Sequence, residues 1–513
     1  MADKFYITTP IYYPNAEPHL GHVYTTICAD TVARYHRLKG DDTFFLTGTD
    51  EHGIKMVKTA AELKVEPQQL VDRVVKIFED VWKEFHVTHD DFIRTTSERH
   101  KSAVTEIVKK LVANDDIYLG KYGGWYDEGQ EEFVTETEAK ANEFKSAVTG
   151  KALVRYEEPT YFFRLKKYAP RVLEYIEQNP QFIQPVTRRN EVLSKLKAGV
   201  EDLSVSRATL KWGIPLPHDP GHVLYVWIDA LSNYITALGY TSGDDSRFKK
   251  YWPADVHLIG KEILWFHTVY WPAILFSLNL PLPKQVFAHG WWTAEGRKMG
   301  KSTGNFIDLD KLRVISSAYS QDALRYYLLR AAPFGNDLDF AQGDFDKAFK
   351  ELSDVLGNCL NRIVKMIGQY RDGRLPAVGE SEEIDQHLID QTAKIESALT
   401  DAYGRLALQE CATLGIELAR ATNGYIDATA PFKLRKLPDK AKRLDTVLNR
   451  SAQAIKNALV ALLPVLPEKA AAGLGQLGVK AEGRTLDELF RAELPAGQQL
   501  GEGQPLFPRV EVK

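Results

Sequence analysis

Pro18-His19-Leu20-Gly21-His22 lies between an apolar, β-prone run at 5–9 and a segment with helical spacing at 23–38. This order predicts a strand, a turn and a helix. Such a turn directs backbone N–H groups and the positive end of a helix dipole toward a ligand above the sheet edge, which suits a phosphate. Gly21 leaves the approach open, and the imidazoles of His19 and His22 add hydrogen-bond donors. On its own, the string fits two half-buried histidines with a structural role equally well.

A second charged stretch, Arg297-Lys298-Met299-Gly300-Lys301-Ser302-Thr303-Gly304-Asn305, lies much later in the chain. Lys298 and Lys301 place two ammonium groups three positions apart on a loop loosened by glycines, which forms a mobile cationic clamp for a charged leaving group. Taken alone, such a run is more commonly an exposed basic loop. In this order, with a large insertion between them, the two stretches resemble the HIGH and KMSKS signatures of class I aminoacyl-tRNA synthetases. Gly300 departs from the serine of the second signature and adds flexibility.

Four further segments narrow the resemblance to the methionyl-tRNA synthetases. They are Tyr13-Pro14-Asn15 before His19, the turn Asp50-Glu51-His52, the link from Glu201 to Arg207, and Val226-Trp227-Ile228-Asp229-Ala230. The likeness runs from Phe5 to about Pro467, nearly the whole chain. It implies a methionine–tRNA ligase, which forms methionyl-adenylate from methionine and ATP and then transfers methionine to the 3′ end of tRNA(Met).

The resemblance also implies which residues bind ATP. His19 and His22 contact the α- and β-phosphates, Lys298 and Lys301 take the departing pyrophosphate, and these four carry catalysis. Mg²⁺ arrives with the nucleotide, and no protein base is needed because the substrate carboxylate is already ionised at neutral pH. For Glu262, helix capping is an equal alternative to contact with ribose hydroxyls. The remaining expected ATP-binding positions are Gly21, Gly260, Glu262, His289, Gly290, Trp292 and Ser302.

A methionine pocket is expected to be aromatic, because the thioether is flexible, polarizable and without a strong hydrogen-bonding group. Asp50 could hold the substrate ammonium group or cap the following helix. Trp227 and Tyr234 lie seven positions apart, which without the family favours one core-facing stripe of a helix. By resemblance, the methionine-binding residues are Ile11, Tyr13, Asp50, Trp227, Ala230, Tyr234, Phe266 and His267.

Length and patterning predict several domains. A chain of 513 residues has room for three or four domains with separate cores. We expect a Rossmann-type α/β catalytic domain with a parallel sheet, an inserted connective domain and a C-terminal α-helical bundle. The expected boundaries are 1–116 and 218–320 for the two catalytic halves, 117–217 for the insertion, 321–345 for a linking region that carries the end of the catalytic core, and 346–513 for the anticodon-binding bundle.

The inserted segment departs from many relatives, which carry zinc-binding cysteine knuckles there. Asp127 and Gln130 stand where a CxxC pair is expected, and residues 117–160 contain no Cys and no His. We therefore predict no structural zinc and no protein-bound metal. The three cysteines, Cys28, Cys359 and Cys411, are far apart in sequence, which indicates neither a disulfide framework nor a cysteine metal site and favours a reducing cytoplasm.

Composition excludes a membrane protein. With 44% apolar and 26% charged residues, the chain has no apolar run near the roughly 18 residues that a membrane span needs. The first residues enter a strand without a basic leader or an apolar signal segment. Because the formal net charge is −4, contact with RNA must use local basic patches.

Asn358, Arg362 and Phe432 match the anticodon-reading positions of the family, where bases are read by stacking and by amide or guanidinium donors. Relatives often place Trp where Phe432 stands, so the stacking face here is smaller. The alternative for Asn358 and Arg362 is a solvated polar stripe. A monomer is expected, since no appended oligonucleotide-binding domain is recognisable.

Two other functions compete with the ligase. A class I nucleotidyltransferase without RNA binding would have no use for the helical segment after residue 346. A catalytically dead RNA-binding paralogue would be expected to have lost a signature histidine or lysine, and none is missing. The insertion is too small to be the editing domain of the branched-chain synthetases.

Overall fold

The computed structural model describes residues 3–129, 132–134, 136–299 and 304–508. Its strands are β1 (Lys4–Tyr12), β2 (Asp42–Thr49), β3 (Asp91–Arg94), β4 (Ile117–Asp127), β5 (Glu132–Val134), β6 (Val154–Phe163), β7 (Ile183–Gln184), β8 (Leu203–Ser204), β9 (Ser206–Arg207), β10 (Pro215–Leu216), β11 (Asp219–Leu224), β12 (Val256–Gly260), β13 (Val286–His289), β14 (Trp292–Ala294), β15 (Arg297–Lys298) and β16 (Leu338–Phe340).

The helices fall into two groups along the chain. Those of the α/β part are α1 (Leu20–Lys39), α2 (Ile54–Glu62), α3 (Pro67–Glu84), α4 (Glu98–Ala113), α5 (Glu136–Ala141), α6 (Leu165–Gln178), α7 (Val186–Lys197), α8 (Val226–Thr236), α9 (Ser246–Tyr251), α10 (Trp271–Ser277), α11 (Leu309–Tyr319) and α12 (Gln321–Arg330). Those of the helical part are α13 (Gln342–Lys350), α14 (Asn358–Arg371), α15 (Glu383–Gly404), α16 (Leu408–Thr429), α17 (Pro431–Leu434), α18 (Ala441–Leu462), α19 (Pro467–Gln476) and α20 (Leu486–Arg491).

A parallel sheet forms the centre of the first part, and the described residues give it six strands in the order β3-β2-β1-β12-β13-β7. On one side of the sheet, the strands follow the order β1, β2, β3 from the centre to the edge. On the other side, β13 lies outside β12. The strand order therefore reverses between β1 and β12, which pair through Ile7 with Val256 and Thr8 with His257. In open α/β sheets, ligands bind at this switch point beyond the carboxyl ends of the strands. The predicted Rossmann-type fold is confirmed.

The predicted insertion contributes strands to three sheets, since β9 and β10 pair with β11 in a small sheet of their own. β4 and β6 pair antiparallel from Ile117 with Phe163 to Tyr126 with Val154, and β5 and β8 flank them. β7, however, pairs parallel with β13 through Ile183 and Val286, so one strand of the central sheet comes from inside residues 117–217. A two-residue strand is too short to produce a periodic pattern, which is why the sequence did not indicate it.

The helical part is a bundle around α18, whose side chains are buried on nearly every face. Its apolar residues pack against α14, α15 and α16. Inside the bundle, the Arg443 guanidinium donates both Nη groups to Asp385, and the Tyr425 hydroxyl donates to the same carboxylate. A bidentate arrangement of this kind satisfies a carboxylate that burial would otherwise penalise.

Three contacts fasten the α/β part to the bundle. Arg325 of α12 is fully buried, and its Nη2 donates to Asp30 of α1 at 2.8 Å while its Nε donates to the Val465 carbonyl at 3.2 Å. Asp322 accepts backbone N–H groups at the start of α19. Tyr35 of α1 stacks on Tyr403 of α15 with ring centroids 3.9 Å apart.

All three cysteines are buried: Cys28 in α1, Cys359 in α14 and Cys411 in α16. Burial raises the pKa of the Cys28 and Cys411 thiols well above its usual range and raises the pKa of Cys359 to about 12. The thiols are therefore protonated and act as small apolar side chains in the core.

Candidate active site

His19 and His22 form the first turn of α1. His19 is the N-cap residue, and its Nδ1 accepts the Gly21 N–H at 3.1 Å. The His22 Nδ1 in turn accepts the His19 N–H at 3.3 Å, which completes a capping box made from two imidazoles. The rings stack with centroids 3.9 Å apart. The same two hydrogen bonds thus fix the start of α1 and the orientation of the two imidazole rings.

These hydrogen bonds fix the tautomers. Because each Nδ1 accepts a backbone N–H, the proton of each neutral ring lies on Nε2, which is a donor. Burial, and then the neighbouring His19, lower the pKa of His22 well below its usual value. His22 is therefore a neutral donor at neutral pH, suited to an anionic ligand without requiring a buried imidazolium.

Gly21 lies close to the His19 ring in the same turn. A Cβ at this position would lie 3.1 Å from Cε1 of His19, so a side chain would shift the ring by a few tenths of an ångström. The carbonyl of Gly21 lies 2.9 Å from the Thr25 hydroxyl, which also contacts Nε2 of His289 at 2.7 Å. Burial lowers the pKa of His289, and its Nδ1–H donates to the Gly290 carbonyl, so the single Thr25 hydroxyl proton is shared between Nε2 of His289 and the Gly21 carbonyl. Thr25, whose role the sequence did not indicate, joins α1 to the end of β13.

The chain that follows the second signature lies against the histidine turn. The Leu20 N–H donates to the Ile307 carbonyl at 3.3 Å, and the Phe306 ring lies 5.5 Å from that of His19. A cavity of about 570 Å³ opens between the two segments, lined by Ala16, Glu17, Pro18, Gly304, Phe306, Asp308, Leu309 and Lys311. The two signatures, remote in sequence, therefore border one cleft.

Of the predicted lysines, the backbone of Lys298 is placed in β15, where it pairs with Thr293 of β14. Lys301 and Ser302 lie outside the described residues. The described chain resumes at Gly304, and Phe306 lies beside the His19 ring.

At the end of β12, Gly260 permits a close approach by Glu262. A Cβ at position 260 would lie 2.3 Å from the Glu262 carboxylate, so any side chain there would displace this carboxylate. Glu262 accepts the Trp291 indole N–H at 2.8 Å, and Lys261 lies 4.1 Å from the centre of the Trp291 ring. Lys261 also pairs with Asp337 at 2.5 Å. Trp291 is 42% exposed and presents a flat aromatic surface next to Glu262 and Lys261.

The neighbouring Trp292 has the opposite orientation. Its ring is buried in the core against Tyr24, Tyr327 and Phe340. Successive residues of an extended chain point to opposite faces, so Trp292 faces the core and Trp291 is left exposed. Of the predicted ATP-binding position Trp292, only the backbone is therefore available to a ligand. The exposed ring is that of Trp291, which was not among the predicted residues.

The predicted methionine pocket lies on the other side of the β1 end. Ile11, Tyr13 and Trp227 pack against one small buried cluster that includes Ala230. The Trp227 ring stacks on Phe266 with centroids 3.4 Å apart and planes 9° from parallel. Phe266 and His267 belong to a π-helical turn, Phe266–Tyr270, a distortion that is frequent at functional sites.

Tyr234 and His267 close the base of this pocket. The His267 Nδ1–H donates to the Ile263 carbonyl at 2.9 Å, so its Nε2 accepts the Tyr234 hydroxyl at 2.7 Å. Burial lowers the pKa of His267 to about 4 and raises that of Tyr234. Both side chains are neutral at physiological pH, and they form a rigid polar wall without charge.

Asp50 emerges at the end of β2, where its N–H donates to the Tyr12 carbonyl at 2.9 Å. Two residues later, His52 contacts Asp229 of α8 at 2.7 Å, and His100 of α4 contacts the other oxygen at 2.8 Å. Although burial alone would raise it, the two imidazoles hold the Asp229 pKa at about 2. This fully buried carboxylate fixes the turn after Asp50 against the helix that carries Trp227. The sequence analysis had not assigned Asp229 a role.

The predicted anticodon residues lie on the bundle. Asn358 is exposed at the start of α14, directly after a π-helical turn. One helical turn later, Arg362 donates to Asp427 at 2.7 Å and to the Asn423 amide oxygen at 3.3 Å. Phe432 is 50% exposed in α17. The side chains are thus accessible for recognition, and Arg362 is held in place by α16.

Neither a metal cluster nor a membrane-spanning helix is present among the described residues. In the described part of the chain, His, Cys, Asp and Glu side chains do not form any group of three or more that could hold a metal ion. Among the helices within the described ranges, none combines the length and apolarity that crossing a bilayer requires.

The switch-point cleft and its two signatures define a class I aminoacyl-tRNA synthetase, and comparison with known proteins agrees. The family described as "tRNA synthetases class I (M)" matches residues 5–143 and 138–364. Methionine–tRNA ligases of Enterococcus faecalis and Bacillus subtilis are 45% and 44% identical to the chain, covering all of it and 78% of their own length. Methionyl-tRNA synthetase of Mycobacterium tuberculosis, solved with methionyl-adenylate, superposes with a TM-score of 0.95 at 37% identity, covering 99% of this chain and all of that one.

The chain therefore belongs to the methionine–tRNA ligase family.

Proposed function

We propose that this chain activates methionine with ATP at the switch-point cleft and then transfers the methionyl group to tRNA. As a member of its family, the chain is a methionine–tRNA ligase. The observation that carries the assignment of the site is the contact between the first turn of α1 and the segment after the second signature. This contact sets the histidine turn beside the chain that follows the second signature, which supports one site for both.

In the first step, the methionine carboxylate attacks the α-phosphorus of MgATP, and the bond to the pyrophosphate oxygen breaks. The carboxylate is already ionised, so the protein need not remove a proton. His19 and His22 donate through Nε2–H to the α- and β-phosphate oxygens, where negative charge grows in the transition state. Lys298, Lys301 and Ser302 hold the leaving pyrophosphate. The nucleoside is bound by Gly260, Glu262, His289, Gly290 and the backbone of Trp292.

Methionine itself is selected by shape and polarizability. The thioether lies among Ile11, Tyr13, Trp227, Ala230 and Phe266, where aromatic faces favour sulfur. Tyr234 and His267 offer neutral polar groups at the base, and Asp50 takes the ammonium group.

In the second step, the terminal ribose hydroxyl of tRNA displaces AMP. We propose that Asn358, Arg362 and Phe432 read the anticodon of tRNA(Met). Residues 117–217 are proposed to form the connective domain. Residues 321–345 are proposed to link the catalytic domain to the helical bundle at 346–513. The protein is proposed to work as a cytoplasmic monomer without structural zinc.

The test is amino-acid-dependent pyrophosphate exchange with each of the twenty amino acids. Methionine is expected to support exchange far better than any other, because only it matches both the aromatic pocket and the neutral wall. Exchange with another amino acid would contradict the substrate assignment. Absence of exchange with all twenty would favour the RNA-binding paralogue.

Arg362→Ala is expected to raise the KM for tRNA in charging by roughly tenfold to a hundredfold, with methionine-dependent exchange unchanged. Both assays use the same purified protein. Arg371→Ala is the control, since Arg371 lies on the same helix and also pairs with an aspartate, Asp445 at 2.6 Å. Equal losses in charging and exchange would show that Arg362 acts on the fold and does not read RNA.

A further inference from the structure

Tyr126 is a buried residue of the inserted sheet that lies against the proposed methionine pocket. It occupies the penultimate position of β4 and is 1% exposed. Its cluster partners are Tyr225, Val226 and Ala230. Ile11, Tyr13 and Trp227 pack against the same cluster. A side chain from outside the nucleotide-binding fold therefore supports the surface proposed to hold the thioether.

The contact with Tyr225 connects this side chain to α8. The hydroxyls of Tyr126 and Tyr225 hydrogen bond to each other, and their rings meet at a steep angle. Tyr225 is the N-cap residue of α8, and its side chain makes no capping hydrogen bond there. The first turn of α8, which carries Trp227, is thus positioned through the ring and hydroxyl of its N-cap residue.

Arg207 completes the junction. Its guanidinium lies 3.7 Å from the centre of the Tyr225 ring and 5.3 Å from that of Tyr126. The Nη1 of Arg207 donates to the Ser204 hydroxyl and to the Ser206 carbonyl. A buried cation that is both hydrogen-bonded and stacked on aromatic faces is held firmly. It restricts both tyrosine rings.

A second contact joins the end of β4 to α2. Lys58 of α2 pairs with Glu128, which directly follows β4, at 2.6 Å. Ile54, at the start of the same helix, packs against the Tyr126 cluster. Both α2 and α8 therefore touch the end of β4.

We infer that Tyr126 and Tyr225 are positioning residues for methionine selection, whose paired hydroxyls hold the start of α8 so that Trp227 and Ala230 fit the thioether. This inference rests on the proposed function. Neither tyrosine is assigned a contact with ATP or with the reacting atoms. Removing either hydroxyl should loosen the fit of methionine while leaving the phosphate-binding turn of α1 intact.

The test is Tyr126→Phe, which keeps the ring and removes only the hydroxyl. Loss of one buried hydrogen bond is expected to raise the KM for methionine about three- to tenfold in pyrophosphate exchange, with kcat and the KM for ATP nearly unchanged. Discrimination between methionine and ethionine, which is longer by one methylene, should fall by a similar factor because the pocket is less firmly held. KM does not depend on the concentration of active enzyme, so partial misfolding cannot imitate this result.

Tyr118→Phe is the matched control. Tyr118 lies on the same strand, and its hydroxyl donates to Asp202 at 2.9 Å, away from the pocket cluster. It should keep the wild-type KM for methionine. Tyr225→Phe should reproduce the effect of Tyr126→Phe, and the double variant should add little, since the two hydroxyls share one interaction.

Three outcomes would overturn the inference: an unchanged KM and unchanged discrimination in Tyr126→Phe, a fall in kcat with both KM values constant, or an equal effect of Tyr118→Phe. Each of these leaves the proposed function standing as long as the wild type exchanges with methionine. Failure of the wild type to do so would defeat the proposed function itself.

Discussion

His22→Ala should slow methionine-dependent pyrophosphate exchange by about 100- to 1,000-fold, the cost of losing one preorganised donor to a transition-state oxygen. The KM for methionine should change little, because the aromatic pocket lies beyond the end of β1 and not on α1. Part of this loss comes from the start of α1, since the His22 Nδ1 also accepts the backbone N–H of His19. Steady-state exchange at saturating ATP measures it directly. Lys301→Ala should likewise lose orders of magnitude in the same assay.

The control is His36→Ala, at the other end of the same helix. His36 contacts Asp41 at 2.6 Å and does not border the cleft. Its removal should leave exchange near the wild-type rate. A comparable loss in both variants would mean that His22 acts only through the stability of α1.

The pH profile gives an independent check on His22. A histidine that binds phosphate as a cation would lose activity as pH rises through its pKa. Burial lowers the His22 pKa well below its usual value, so the ring is neutral from about pH 6.5 to about pH 8. The wild-type exchange rate should therefore not fall between about pH 6.5 and about pH 8 through titration of this group. A rate that falls in this window, and stops falling in His22→Gln, would contradict the neutral-donor assignment.

Arg325→Ala should lower the free energy of unfolding by about 3–5 kcal/mol, because it leaves a buried carboxylate without its main partner. Asp30 and Arg325 are both fully buried. Although burial alone would raise it, Arg325 and Arg34 hold the Asp30 pKa at about 2. The same substitution removes the donor to the Val465 carbonyl, between α18 and α19. Urea unfolding followed by intrinsic fluorescence measures the change.

Arg405→Ala is the surface comparison, since Arg405 is half-exposed and pairs with Asp401 and Glu410. Its loss should cost far less than the loss of Arg325, because solvent screens an exposed ion pair. The double variant Asp30→Asn/Arg325→Met should recover part of the stability lost in Arg325→Ala, because it removes the buried charge together with its partner. A loss in Arg325→Ala as small as that in Arg405→Ala would show that the buried pair contributes little.

Much of the site was predictable because its signals are local in sequence. The strand, turn and helix around His19 and His22 follow from periodicity, and Gly21 from the need for close approach. Membership of the family placed the pocket residues, and the structure brings Ile11, Tyr13, Trp227 and Ala230 together. The roles of these residues in binding stay predictions.

What the sequence could not supply depends on orientation or on contacts between distant segments. In Trp291-Trp292, alternation requires one ring to face inward, but nothing local says which one. The tautomers of His19 and His22 depend on backbone geometry that no motif encodes. Thr25, Asp229 and Tyr126 act through partners more than 90 positions away, at His289, His52 and Tyr225.

The buried cysteines have a practical consequence. Thiol reagents attack the thiolate, and burial keeps Cys28, Cys359 and Cys411 protonated and out of reach. The folded protein should thus give almost no background labelling with maleimides. A single new thiol at an exposed site, such as Val314→Cys on α11 shortly after the second signature, would carry a fluorophore at one known place. Its response to nucleotide could then be followed in real time without first removing the native cysteines.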